Sequence, residues 1–167
     1  MNLRSICVGL AVTAATFALA AQVLVFAEGR GKAHSEDGRR ASFQFNVRKL
    51  TDGEHVRKGG TATFEISEPR TIDGVRINMR ELRELGVEDH VARFTGPGGI
   101  RFRTRSGVTE RQGNVRIFAR DDRRPDGSRD LRDKVGVQFE SLDGNLTYSF
   151  EGVVRDGEVA VGRRESD

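Results

Sequence analysis

The feature that most constrains this chain is a set of short runs in which large apolar residues recur at every second position. Phe43, Phe45 and Val47 alternate with polar neighbours, and so do Ala62, Phe64 and Ile66. Val75, Ile77 and Met79 repeat the pattern, as do Ile100 and Phe102, then Val115, Ile117 and Ala119, then Val135, Val137 and Phe139. Leu146, Tyr148 and Phe150 lead into Val153 and Val154, and Val159 and Val161 close the series. A period of two puts alternate side chains on opposite faces of an extended strand, one face apolar and one wet. Asp73-Gly74, Asp143-Gly144 and Asp156-Gly157 punctuate the runs as turns, and so does Gly96-Pro97-Gly98-Gly99 after a strand over Val91 to Thr95. The pattern predicts an all-β domain over 41–162, an antiparallel β-sandwich or small barrel of eight or nine short strands. One stretch departs from it. Leu82 and Leu85 stand three apart among Glu and Arg before Gly86, so 80–86 fits a short helical turn as well as an irregular strand.

The two ends read differently. Met1 to Arg4 carries one cation, Arg4, and Ser5 to Ala27 is an uncharged run of 23 residues rich in Ala, Val and Leu. Small residues in the A-x-A manner of a signal-peptide cleavage site occur at Ala18-Leu19-Ala20 and at Val25-Phe26-Ala27. The second lies at the switch to charge, so 1–27 is expected to be a signal peptide and the protein secreted or periplasmic. An uncut segment of this length would instead anchor the chain in a membrane. Residues 28–40 contain no large apolar side chain and are expected to form a flexible polar leader, and 163–167 a charged tail. The one cysteine, Cys7, falls inside the signal, so the domain has no disulfide and no thiolate metal site.

The string ASFQFNVRK at 41–49, following a Gly-rich polar leader, resembles the opening of the post-COAP domain family, found in secreted bacterial proteins. Thr63-Phe64-Glu65-Ile66, Ala92-Arg93-Phe94-Thr95-Gly96 and Asp133-Lys134-Val135-Gly136-Val137-Gln138-Phe139 are similar to later strands of that family. The resemblance spans most of 41–155. It implies a secreted all-β accessory domain without catalytic residues to carry over.

Chemistry-bearing constellations are sparse. His34, His55 and His90 stand apart, with no i+2 or i+4 pair of the kind a local metal motif uses. Asp121, Asp122, Asp126, Asp130 and Asp133 crowd one Gly-containing stretch, but without calcium-loop spacing and interleaved with Arg123, Arg124, Arg129 and Arg132. A solvated, self-neutralising loop is the expectation there, with no metal and no cofactor. No Gly-x-Ser-x-Gly elbow is present, nothing singles out a carboxylate pair, and the expectation is a protein that is not an enzyme. Asn145-Leu146-Thr147 matches a glycosylation sequon at a turn.

Arginine is the informative polar residue. It supplies 24 of the 28 basic groups, and residues 98–124 hold eight Arg against three acids. Alternation sets Arg101, Arg103 and Arg105 on the outer face of one strand, where Arg116 and Arg120 from a neighbour would extend them. Guanidinium rows suit phosphate or carboxylate polymers. The alternative is an outer face whose arginines meet acids across strands. Nucleic acid is a poor target, since net charge is only +3 and no aromatics interleave. The expected function is therefore a non-catalytic binding or accessory module, its Arg-rich face turned toward an anionic extracellular or cell-wall polymer. A second candidate is a small-ligand carrier, holding an apolar molecule among Phe43, Phe45, Phe64, Phe102, Phe139 and Phe150.

Overall fold

The alternating runs become strands of one coiled sheet. The computed structural model describes residues 22–122 and 132–166, and no helix occurs among them. The strands are β1 (Gln22–His34), β2 (Arg40–Asp52), β3 (His55–Ile66), β4 (Val75–Met79), β5 (Glu84–Glu88), β6 (Val91–Thr104), β7 (Gly107–Arg120), β8 (Lys134–Ser141) and β9 (Thr147–Ser166). All pairings are antiparallel. Following the ladders gives β1-β2-β3-β4-β6-β7-β8-β9, and β9 pairs back onto β1, which closes an eight-stranded barrel. The ninth strand, β5, continues past β4 along the lower half of β6. Here "lower" denotes the end holding the β2–β3 and β5–β6 turns.

Closure removes the sheet edges that an open sheet would expose. It also encloses a core built from the predicted inward positions. Phe43 packs on Phe45 and Phe64 at centroid distances of 5.8 and 6.0 Å, and Phe45 packs on Phe94 at 5.5 Å. Phe139, Phe150, Ile77, Ile100, Ile117 and Val137 fill the remaining interior. Of the six phenylalanines considered for a carrier, five are buried in this packing and Phe102 is half-buried against it.

Four sequence expectations need correction. Residues 28–34, read as part of a flexible leader, are the upper half of β1, hydrogen-bonded between β2 and β9. The stretch lacks large apolar groups because its inward positions must be small. A Cβ on Gly29 would meet the Phe45 ring at 2.6 Å, and one on Gly31 would meet the Asp156 carbonyl oxygen at 2.1 Å. Neighbouring strands supply the volume; only 35–39 form a turn. Secondly, residues 163–166 of the supposed tail pair with 22–25. Asp167 and residues 1–21 lie outside the described residues. The last six residues assigned to the signal, Gln22 to Ala27, are the lower half of β1.

Thirdly, of the two readings open for residues 80–86, the irregular strand holds and the helical turn does not. These residues are a bend followed by the first half of β5, with Arg80 and Arg83 donating backbone N–H to the Pro97 and Thr95 carbonyls at 3.0 and 2.8 Å. Leu82 and Leu85 both point inward, which produces helix-like spacing because the bend shifts the strand phase between them. Fourthly, neither Gly96-Pro97-Gly98-Gly99 nor Asp156-Gly157 is a turn, since β6 runs straight through the first and β9 through the second, at its bulge. The glycines of the first are there for close approach. A Cβ on Gly96 would lie 1.8 Å from the Glu81 carbonyl oxygen, and one on Gly98 2.0 Å from that of Asn78. Pro97 is tolerated inside a strand because the β4-to-β5 bend interrupts the ladder at that point.

Candidate functional site

Register decides which arginines meet. Arg101 faces Glu110 on β7 and stands beside Arg76 on β4, and Arg76 lies 3.7 Å from Glu65. Arg103 pairs with Asp73 at 3.6 Å, and Arg105 is exposed in the β6–β7 turn. Arg116 sits six positions beyond Glu110 along β7, roughly 20 Å away at the rise of a strand. It pairs with Glu140 at 3.5 Å, while Arg120 makes two hydrogen bonds to the Asp122 carboxylate at 2.9 and 2.7 Å. The five arginines are outward-facing, but they form two separate groups, and four of them face acids.

Arg116, of the lower group, lines a depression of about 820 Å³. The ladders align its floor in rows across β6, β7, β8 and β9. One row reads Arg93, Phe118, Gly136, Glu151, and the next Thr95, Arg116, Gln138, Ser149. Gly136 has a physical reason. The Phe118 ring lies flat across it, and a Cβ there would meet ring carbons at 2.2 Å. The ring thus covers the backbone of the adjacent strand while its outer surface stays half exposed. Lys134 closes the lower side. Among the described residues neither Arg93 nor Lys134 has a carboxylate within ion-pair distance.

The opposite wall is the β1–β2 turn, which brings His34, Glu36 and Asp37 over β9. Arg39 fixes it there. It donates to the Ser149 carbonyl at 3.0 Å and to the Tyr148 hydroxyl at 3.2 Å, and pairs with Asp37 at 2.8 Å and with Glu68 at 3.6 Å. Its guanidinium also lies 5.7 Å from the Phe150 ring centroid. These bonds replace the ladder that β1 no longer offers to the first part of β9. The Ser35 hydroxyl and the Arg39 N–H hold the Asp37 carboxyl below its ordinary pKa. Burial raises the Tyr148 phenol, which donates to Glu68 at 3.2 Å. The groove is therefore polarised, with Arg93, Arg116 and Lys134 on the β6–β8 side and Glu151, Glu36 and Asp37 on the other.

Sequence reasoning found Arg116 and missed Arg93, Phe118 and Lys134. Alternation already sets Arg93 outward between Ala92 and Phe94, but only the register shows what stands beside it. His34 ends β1, His55 opens β3 and His90 lies in the β5–β6 turn. In the aspartate-rich stretch, Asp126 and Asp130 lie outside the described residues. Asp133 is buried and uses both carboxylate oxygens on backbone amides, those of Asp122 and Val159, each at 3.1 Å. It anchors the loop to β9 just past the bulge at Arg155, where Lys32 faces Asp156 and Ala33 faces Val154. Asn145 of the sequon is exposed in the β8–β9 turn.

The fold and this surface define an eight-stranded antiparallel barrel with one supplementary strand and a polarised groove on its outer wall. No protein-family model, curated protein or solved structure matches the chain.

Proposed function

We propose that this protein is an exported, non-catalytic binding module that holds anionic polymers along the basic side of the groove. The observation that carries the reading is the placement of Arg93 and Lys134. Both are cations without carboxylate partners among the described residues, and they flank the half-exposed Phe118 ring on a recessed surface. A recessed wall raises the local field of such charges, and a planar ring beside them gives a polymer chain a contact surface. Arg116 adds a third cation. Its link to Glu140 is solvent-exposed and therefore weak enough to exchange for a ligand carboxylate or phosphate. The upper arginines contribute less, since Arg103 already faces Asp73 and Arg101 stands opposite Glu110. The interior rings pack on one another, which supports a structural part for them over a carrier's pocket. Kinship with post-COAP domains, drawn from the strings above, belongs to the same proposal of a secreted accessory role.

The test is binding to polygalacturonate and to polyphosphate across a salt series. Retention is expected to fall steeply as sodium chloride rises, because exposed charges are screened over about 10 Å at 0.1 M. Arg93→Glu with Lys134→Glu should lower affinity at least tenfold, and Arg101→Glu with Arg103→Glu should change it less than threefold. Equal losses in both variants, or no retention at low salt, would refute the groove.

A further inference from the structure

We propose that export processing cuts this chain between Ala20 and Ala21, so that the whole of β1 belongs to the mature protein. The sequence offers two small-residue sites, and polarity alone favours the one ending at Ala27. The barrel makes that choice untenable. Gln22 to Ala27 pair on one side with Val47 to Asp52 of β2 and on the other with Val161 to Ser166 of β9. Among the described residues no other strand joins β2 to β9 at this end, so a cut after Ala27 would open the barrel along two strands and leave both edges bare.

Side-chain complementarity points the same way. Ala27 is fully buried and Val25 packs against the core. On the outer wall Phe26 lies across Gly162, its direct partner on β9, where a Cβ would meet the ring at 2.8 Å. The Arg164 guanidinium stands 5.1 Å from the same ring. Gly162 and Arg164, near the far end of the sequence, are thus shaped around a side chain that the later cut would discard.

Cleavage after Ala20 meets the requirements of both segments. Ala18 and Ala20 supply the small residues a signal peptidase reads three and one positions before the bond. Ser5 to Phe17 is then an apolar stretch of 13 residues, inside the usual span of about 7–15 for a signal's hydrophobic region, whereas Ser5 to Ala27 is too long. Ala21 remains as the single residue ahead of the first paired position, Gln22. The uncharged run therefore has two parts, a targeting segment and the apolar start of a strand, Val23-Leu24-Val25-Phe26, which merge in the sequence because both are apolar.

The full chain, expressed with its own N-terminal segment in a Gram-negative host and recovered from the periplasm, should begin at Ala21 by N-terminal sequencing and intact mass. A terminus at Glu28, or at any other position, overturns the assignment. An uncut Met1 terminus overturns it, and together with retention of the chain in the cytoplasm overturns the export reading as well, whereas a Glu28 terminus removes the assigned bond alone. Ala20→Pro should abolish the Ala21 terminus, and Ala27→Pro should leave it unchanged. Both readouts are taken on denatured protein, so a variant that fails to fold still reports.

Discussion

Several glycines here are defined by what lies where their side chain would be, and the neighbours differ in how far they can yield. At Gly136 the obstacle is the Phe118 ring, the end of a side chain that is half exposed and can rotate outward. At Gly31 it is the Asp156 carbonyl, part of the β9 backbone at the bulge. Overpacking is costly where nothing can move. Gly136→Ala should therefore destabilise by about 1 kcal/mol and Gly31→Ala by about 3 kcal/mol. Urea unfolding of the two variants checks the order, and a reversed ranking would contradict it. A second residue-scale effect concerns the β8–β9 turn. The Ser141 hydroxyl and the Asn145 N–H donate to Asp143 and lower its pKa below the ordinary 3.8. A depressed carboxyl contributes to folding above its unfolded pKa and loses that contribution as pH falls through the folded value. The protection of the Asn145 amide, its exchange relative to the unfolded chain at the same pH, should thus hold above about pH 4 and fall below it, and Asp143→Asn should flatten this dependence.

Among the elements, legibility followed the size of the inward side chain. β2, β4 and β8 were readable because Phe, Ile, Val and Met mark every second position against polar neighbours. β1 was not, since its inward face runs Ala27, Gly29, Gly31, Ala33 and carries no hydropathy signal. Its lower half was apolar enough to pass for part of a targeting segment. The lower half of β3, His55 to Gly60, was unreadable for a related reason: its residues are mostly exposed on both faces and pair only with β2. The polar surface was half legible. Alternation gave the outward facing of Arg101, Arg103 and Arg116, while the groove required a register that spans four strands. The β4-to-β5 bend is the least regular part of the wall, and Leu82 seals it from inside. Leu82→Ala should cost about 3 kcal/mol. It should also speed amide exchange in β5 more than in β8, measurable by hydrogen–deuterium exchange. Uniform acceleration across the barrel would mean that the bend is not a local seal.

For the molecule as a whole, the decisive ladder is the one that joins the first strand to the last. Gln22 faces Ser166, so the contacts that close the barrel span nearly the entire described chain. Folding of barrels dominated by such pairings takes milliseconds to seconds, against microseconds for local helical bundles. Stopped-flow refolding of the protein should fall in the slower range, and a sub-millisecond phase carrying the full amplitude would refute that expectation. The same ladder sets a rule of timing. A chain made from its N-terminus produces β1 first and its partner β9 last. During synthesis one flank of Val23-Leu24-Val25-Phe26 therefore waits, unpaired and adhesive, for residues that do not yet exist. The interval between these two events is when the nascent protein is most exposed to aggregation, and when a holding chaperone would have the most to protect.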